Sequence, residues 1–382
     1  MRDLNRLNNP YNEDKVLSAC SIFGMMDTSG RRLPGEPIFR AMENMHDRGN
    51  GLGGGFAVYG IYPEHADSYA LHLMFISPHG RQATEDLLDT CFDVEHSEEI
   101  PTRPTDGITN EPLVRRYFVR PKPGACDPNR EDDFVVSQVL RINSEVTDSF
   151  VFSSGKNMGV FKGVGFPEQI ARFFRLEEYE GYIWTAHGRF PTNSQAWWGG
   201  AHPFCLLDWT VVHNGEISSY GANRAFLETE GYRCTLFTDT EVMAYAIDLL
   251  MRRQGLGPDV FSRVVAPPLW DEIDRMQADE RDLHTALRAT YGGLLMNGPF
   301  AVVIANSSQM IALTDRIRLR PLTAATRGSL LYLSSEEAAI RLVSPELDEV
   351  WTPMGGVPVI GQIGSLPAPA DSTRRTEAVC GV

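Results

Sequence analysis

An alternating pattern of apolar and small residues begins at Cys20. Residues 1–19 are polar, with several asparagines and interleaved acidic and basic side chains, whereas Ser21–Met26 reads as a half-buried strand. The first segment has neither the apolar block of a secretory signal nor the acid-poor, arginine-rich composition of a transit peptide. The pattern therefore predicts a strand directly after Cys20 and a separate leader before it.

Glycines dominate the segment between the first predicted helix and the next strand. A helical pattern follows Pro37, and the loop Gly49–Gly55 is rich in glycine before the apolar strand Phe56–Tyr62. Phosphate-binding loops lead into a helix N-terminus, whereas these glycines lead into a strand. We therefore expect a loop that passes close to a ligand or to another backbone.

Residues 63–150 are interpreted as an insertion, either a small α+β lobe or an elaborated connection. Within it the apolar pattern predicts strands over Tyr69–Ile76, Leu113–Arg120 and Phe134–Ile142 and a helix near Gln82–Phe92. We find no candidate chemistry in this part of the sequence.

The second half of the chain alternates predicted strands and helices. Residues 342–382 are rich in proline and glycine and are predicted to form an irregular tail, so that the main domain covers residues 20–341. The predicted strands of this half are Trp209–Val212, Phe300–Ala305, Met310–Leu313 and Leu330–Leu333, and the predicted helices are Tyr220–Glu230, Val242–Met251 and most of the charged stretch 258–291.

Composition narrows the function classes. The 382 residues are 42% hydrophobic and 22% charged, which is ordinary for a globular protein. A net charge of −15 without a basic cluster argues against nucleic acid and anionic lipid as partners, and no apolar run is long enough to span a membrane. The six cysteines lie far apart and lack metal-site spacing. We expect reduced thiols, no bound metal and a cytoplasmic location.

Cys20 is the first candidate for chemistry. If the leader is a propeptide, Cys20 becomes the N-terminal residue and carries a nucleophilic thiol and an α-amine together. The amine has a pKa near ~8 and can act as a general base at neutral pH. The alternative is a buried structural cysteine, which the local sequence alone favours.

Six short motifs occur downstream and around Cys20 in a fixed order. Each is weak alone: Asn214-Gly215 fits a hairpin turn, and Thr238 with Glu241 fits a helix capping box. Together they resemble the class II glutamine amidotransferases, which are N-terminal-nucleophile hydrolases. The greatest resemblance is to the stand-alone amidotransferase subunit of archaeal-type glutamate synthase and the related N-methylglutamate synthase. The motifs are Cys20–Gly24, His46–Gly49, His187–Asn193, Ala201–Phe204, His213–Glu216 and Thr238–Glu241.

The resemblance implies a fold and a set of roles. The fold would be an α+β four-layer αββα sandwich of the N-terminal nucleophile hydrolase type, with an α+β insertion. Cys20 would be the nucleophile, and the Asn214 side chain with the Gly215 N–H would form the oxyanion hole. Arg189 would bind the α-carboxylate of glutamine, and Asp239 would bind its α-ammonium.

Other positions match the family less fully. Thr192 and His202 fall on further substrate-binding positions of the family. The family's His-Arg-Gly is interrupted here by Asp47, which leaves the role of Arg48 open. The leader is a second departure from relatives that begin directly at cysteine.

The resemblance implies a glutaminase subunit that passes ammonia to a separate synthase subunit. The acceptor stays open between 2-oxoglutarate, as in glutamate synthase, and methylamine chemistry, as in N-methylglutamate synthase. A non-catalytic scaffold subunit is the alternative class, but such a relative would be expected to lose Cys20, Arg189, Asn214 or Asp239. No cofactor is expected in this chain; FMN and iron–sulfur clusters are expected in partner subunits.

Overall fold

The structure is a computed structural model that describes residues 20–190 and 196–367. The predicted leader 1–19 and Thr192 lie outside the described residues. Among the helices of the described part, none combines the length and the apolar character that crossing a membrane requires.

The strand that follows Cys20 lies at the centre of the larger sheet. Strand β1 (Ser21–Asp27) pairs with β10 (Ile183–Gly188) on one side and β16 (Leu330–Ser334) on the other, and every pairing in the sheet is antiparallel. The predicted strand after Cys20 is thus confirmed. The remaining strands of this sheet are β3 (Gly54–Tyr59), β8 (Met158–Gly163), β15 (Thr323–Arg327) and β17 (Glu349–Trp351), in the order β17-β15-β16-β1-β10-β3-β8.

A second antiparallel sheet packs face to face with the first, and β13 (Phe300–Ala305) is its central strand. Ala301, Val303 and Ala305 belong to the core between the sheets, whereas Val302 and Ile304 belong to the core under the helices. Both faces are therefore buried, which explains the continuous apolar run of this strand. The other strands are β11 (Phe204–Leu206), β12 (Trp209–Gly215), β14 (Gln309–Thr314) and β18 (Val359–Gln362), in the order β11-β12-β13-β14-β18.

Helices cover the outer face of each sheet and complete a four-layer αββα sandwich, as predicted. On the larger sheet lie α1 (Glu36–Asn44), α4 (Pro167–Phe173) and α10 (Glu337–Val343). On the smaller sheet lie α5 (Tyr220–Thr229) and α6 (Asp239–Ile247), and α6 continues as a π-helix over Asp248–Arg253. The remaining helices of this half are α7 (Pro258–Val265), α8 (Trp270–Ile273) and α9 (Ala278–Tyr291), and a two-stranded ribbon joins β2 (Leu33–Pro34) to β9 (Glu180–Gly181).

The segment interpreted as an insertion forms its own four-stranded antiparallel sheet with two helices. One prediction there is wrong: residues 134–142 are helical rather than a strand. Val135, Val136, Val139 and Ile142 are buried at helical spacing, and a run of acidic residues in the first turn favours the helix. The elements are β4 (Tyr69–Phe75), α2 (Pro78–Cys91), β5 (Phe92–Glu99), β6 (Leu113–Pro121), α3 (Glu131–Glu145) and β7 (Ser149–Ser153).

The described part of the predicted irregular tail is more ordered than expected. Strand β17 pairs with β15 at the edge of the larger sheet, and β18 pairs with β14 at the edge of the smaller one. Both strands are short and flanked by proline or glycine, so that their apolar patterns are too brief to be recognised in the sequence.

Candidate active site

Cys20 directly precedes β1, and the last residues of β10 lie next to it. Its Sγ lies 3.3 Å from the backbone nitrogen of Phe190, which donates a hydrogen bond to it. Burial raises the pKa of the Cys20 thiol, while the Phe190 N–H and the positive charges of Arg189 and Arg320 act in the opposite direction. The thiol is therefore held as a protonated group that needs a base to become a nucleophile.

Arg48 contacts the backbone of Cys20 rather than the cavity. Its Nε donates to the Cys20 carbonyl oxygen across 3.2 Å, and its Nη1 donates to Glu336 across 2.7 Å. The sequence left the role of this arginine open. The geometry makes it a fixed support for the residue that carries the thiol.

The end of β12 brings Asn214 and Gly215 to the same edge of the sandwich. Asn214 is fully buried, and its Nδ2 lies 3.3 Å from Ser335 Oγ, which also accepts a hydrogen bond from the Ile22 N–H on β1. Gly215 has a φ of +149°, and a Cβ at this position would collide with the carbonyl oxygen of Pro299. Only glycine fits there without a backbone shift. The pair ends a strand and is not a hairpin turn.

Arg189 follows β10 and is almost fully buried. Its backbone N–H donates to the carbonyl oxygen of Gly53, and a Cβ on Gly53 would lie 2.9 Å from the Arg189 Cδ. Gly53 has a φ of +155°, so that this position favours glycine on conformational grounds as well. The glycine-rich loop therefore passes close to another part of the chain, as expected.

Asp239 is the first residue of α6. Its Oδ2 accepts a hydrogen bond from the Ile217 N–H across 2.9 Å, and its Oδ1 lies 3.6 Å from His213 Nδ1 and 3.2 Å from the Thr240 hydroxyl. Burial alone would raise the pKa of Asp239, but His213 and these hydrogen bonds outweigh it and hold the pKa at about 2. Asp239 is therefore an anion at neutral pH.

The capping box that the sequence also allowed does not form. Thr238 occupies the N-cap position of α6, but its side chain makes no cap hydrogen bond. The Glu241 carboxylate instead accepts hydrogen bonds from the Thr235 and Leu236 N–H groups, both at 2.9 Å. Glu241 shapes the chain that leads into the helix, while Asp239 is directed to the site.

His202 lies in the loop before β11 and belongs to a buried group of rings. Its Nε2 lies 2.8 Å from Thr240 Oγ1, and its ring stacks on His187 with a centroid distance of 3.9 Å. Burial is the largest contribution to both pKa shifts. The pKa of His187 falls to about 3, and that of His202 falls well below its usual range. Both rings are neutral at physiological pH; His202 lines the cavity, and His187 supports it through the stacking contact.

Several of the side chains described above line one cavity of about 270 Å³. Cys20 lies on it together with the buried Arg189 guanidinium and the half-buried Asp239 carboxylate, so that a nucleophile and two opposite charges face the same space. This volume and this set of charges suit an amino acid with a polar side chain. Its lining includes Cys20, Arg189, His202, His213, Gly215 and Asp239.

A family model described as class-II glutamine amidotransferases matches residues 93–350. The chain belongs to this family. An uncharacterized protein of Archaeoglobus fulgidus is 58% identical over 356 residues, which cover 92% of this chain and 94% of that protein. A putative glutamine amidotransferase of Methanothermobacter thermautotrophicus is 24% identical over 85% of this chain and 93% of its own.

Two longer relatives match over only part of their length. The large chain of NADPH glutamate synthase from Bacillus subtilis is 26% identical over 60% of this chain and 16% of that protein. The solved glutamine phosphoribosylpyrophosphate amidotransferase of Bacillus subtilis gives a TM-score of 0.45 at 15% identity over 90% of this chain. This amidotransferase chain spans 47% of that structure.

The structure brings together most of the residues that the motifs selected. Cys20, Arg189, His202, Gly215 and Asp239 line the cavity. Asn214 and Arg48 lie beside it and contact the elements that carry Cys20, and Thr192 lies outside the described residues.

Sequence reasoning missed three residues that support the site. Ser335 links Asn214 to β1, Glu336 pairs with Arg48, and Thr240 connects His202 with Asp239. The polar run after the strand Leu330–Leu333 was a visible signal for the first two, because polar residues at the end of a buried strand often face a site. Thr240 lies within a motif but was not distinguished from its neighbours.

Proposed function

We propose that this chain hydrolyses glutamine to glutamate and ammonia through a cysteinyl thioester on Cys20. The observation that carries the proposal is the single cavity that Cys20, Arg189 and Asp239 share. The buried Arg189 guanidinium and the half-buried Asp239 carboxylate suit the α-carboxylate and α-ammonium of an amino acid, and the Cys20 thiol on the same cavity would meet its side-chain amide.

The proposed chemistry uses groups of this chain alone. The α-amine of a processed Cys20 takes the thiol proton, and the sulfur attacks the side-chain carbonyl carbon of glutamine. The Asn214 Nδ2–H and the Gly215 N–H would stabilise the oxyanion. The C–N bond then breaks, the amine returns its proton to the leaving ammonia, and water hydrolyses the thioester to glutamate and free thiol.

We further propose that the ammonia passes to a separate synthase subunit, as in glutamate synthase. Support comes from the order of the six motifs, which resembles stand-alone amidotransferase subunits, and from the partial match to a glutamate synthase large chain. FMN and iron–sulfur clusters would then belong to partner subunits. The N-methylglutamate synthase complex is the second setting in which such a subunit would act.

A glutaminase assay tests the first proposal. Purified protein should release glutamate and ammonia from glutamine, and Cys20→Ala should abolish release while Cys126→Ala leaves it unchanged, since Cys126 lies in the insertion. Absence of turnover and of glutamine binding in the processed protein would refute it. For the second proposal, native complex containing this chain is supplied with glutamine and either isotopically labelled 2-oxoglutarate with a reduced electron donor, which provides the two electrons of the reductive amination, or methylamine. Formation of glutamate from 2-oxoglutarate supports glutamate synthase, and formation of N-methylglutamate supports the other complex.

A further inference from the structure

Lys162, on strand β8, carries a buried side-chain amino group, and burial lowers its pKa to about 7. The residue is 1% exposed, and no ion pair reaches it from any residue that the structure describes. Its Nζ donates to the carbonyl oxygens of Gly199 (2.9 Å) and Pro203 (3.2 Å) and lies 4.6 Å from the centroid of the Phe204 ring. Burying a charged or polar group costs free energy unless protein groups replace its hydration water. The two carbonyl oxygens and the Phe204 ring replace that water here, which indicates a structural role for the side chain.

The two carbonyls flank a short segment that carries His202. The same segment also packs against Gly55 of β3, whose register partner on β8 is Lys162. A Cβ on Gly55 would collide with the carbonyl oxygen of His202 and lie 2.7 Å from the Lys162 Cβ. The segment 199–203 thus packs closely on the Gly55 backbone, and the neighbouring Lys162 binds both of its ends.

His202 is connected to the substrate cavity by a chain of polar contacts. Its Nε2 contacts the Thr240 hydroxyl at 2.8 Å, and that hydroxyl lies 3.2 Å from Asp239 Oδ1 and 3.0 Å from His213 Nδ1. A shift of residues 199–203 would therefore move the Thr240 hydroxyl that orients Asp239. Strand β1, which follows Cys20, would stay in place.

We propose that Lys162 is a positioning residue that fixes the segment 199–203 and thereby orients Asp239 for the amino-acid end of glutamine. The inference rests on the proposed function of the cavity. Lys162 itself does not line the cavity, so that it acts through His202 and Thr240 and not on the reacting atoms.

The test compares Lys162→Met with Lys156→Met in the full chain. Lys156 is a matched control, because its Nζ also lies over an aromatic ring, that of Tyr69, but pairs with Glu131, the first residue of α3. Loss of the buried donor should raise the glutamine KM by about tenfold and change kcat by less than about threefold. Lys156→Met should change neither constant. Lys162→Gln, which keeps a donor on a shorter side chain, should restore part of the affinity.

Hydrogen exchange provides a readout that does not need turnover. The amides of residues 199–206 should exchange faster in Lys162→Met than in the parent, and those of β1 should not. An unchanged KM, or a fall in kcat at constant KM, would overturn the inference, as would unchanged exchange of the segment. If Lys162→Met fails to fold, Lys162→Gln is compared with Lys156→Gln, and a smaller rise in KM together with faster exchange of residues 199–206 is expected. A parent protein that neither binds nor hydrolyses glutamine would refute the proposed function, whereas the exchange data would still decide whether Lys162 holds the segment.

Discussion

The guanidinium of Arg48 joins the carbonyl oxygen of Cys20, at 3.2 Å, to the carboxylate of Glu336, at 2.7 Å. Glu336 is the N-cap residue of α10, so that one side chain connects the residue before β1 to the start of a helix on the outer layer. The planar fork of arginine can make both contacts at fixed angles, which a lysine ammonium cannot. The backbone that carries the thiol is therefore fixed from one side.

We predict that Arg48→Lys lowers kcat by about tenfold, because a small displacement of the nucleophile is enough to lose reactive geometry. Arg189 and Asp239 keep their positions in this variant, so that the glutamine KM should stay within about twofold. Steady-state kinetics of glutamate release measures both constants. Arg40→Lys, an exposed change on α1, is the control. A raised KM with unchanged kcat would show that Arg48 serves substrate binding instead.

A second prediction concerns processing. If the α-amine of Cys20 is the general base, active protein must begin at Cys20, because an amide nitrogen cannot take the thiol proton. Intact-mass measurement of active preparations should show loss of residues 1–19. A chain expressed as Met followed directly by Cys20, from which the methionine is removed, should be equally active. Full turnover by protein that retains Met1 would contradict the mechanism.

The motifs placed most of the site because each of them ends or begins a regular element. Cys20 precedes β1, Arg189 follows β10, and Asn214-Gly215 ends β12, so that candidate side chains chosen from the resemblance lie at strand ends. The four-layer architecture was predicted from the resemblance of the six motifs to a known family, and the continuous apolar run of β13 agrees with its position at the centre of the smaller sheet.

Other features depend on contacts that no local pattern contains. Residues 134–142 are rich in β-branched side chains, and their helix is specified by packing of one face against the lobe sheet. Ser335 and Lys162 gain their significance from partners 121 and about 40 residues away in the sequence. Such long-range pairs become visible only when the strands are assembled.

A third prediction concerns Asn214→Ala. Its amide contact is expected to strengthen only as the oxyanion forms, so that kcat should fall by about 10²–10³ while the glutamine KM changes little. Asn129→Ala, an exposed change in the lobe, should have no effect. A loss of glutamine affinity without a loss of turnover would show that Asn214 binds the ground state.

The low pKa of Asp239 predicts how stability depends on pH. A carboxyl whose folded pKa is about 2, below its ordinary value of 3.8, stabilises the fold fully above the ordinary value. This contribution is lost as the pH falls toward 2. The difference in unfolding free energy between the parent and Asp239→Asn should shrink by about 1.5 kcal/mol between pH 4.5 and pH 2.5. Urea unfolding at several pH values measures it, and a constant difference would mean an ordinary pKa.

The last prediction separates substrate binding from helix capping at the start of α6. Asp239 faces the cavity beside Arg189, whereas Glu241 accepts hydrogen bonds from the backbone of Thr235 and Leu236. Asp239→Asn removes the charge that would meet the substrate ammonium but keeps an acceptor, so that glutamine should bind about 30-fold more weakly, equal to about 2 kcal/mol. Glu241→Gln should lower the free energy of unfolding and leave glutamine affinity nearly unchanged.

Calorimetric titration of both changes in a Cys20→Ala background measures binding without turnover, and urea unfolding measures stability. If Asp239→Asn lost stability but bound glutamine normally, Asp239 would be a structural residue of the helix start. Glu216, the other carboxylate that lines the cavity, would then be the candidate partner of the substrate ammonium, opposite Arg189.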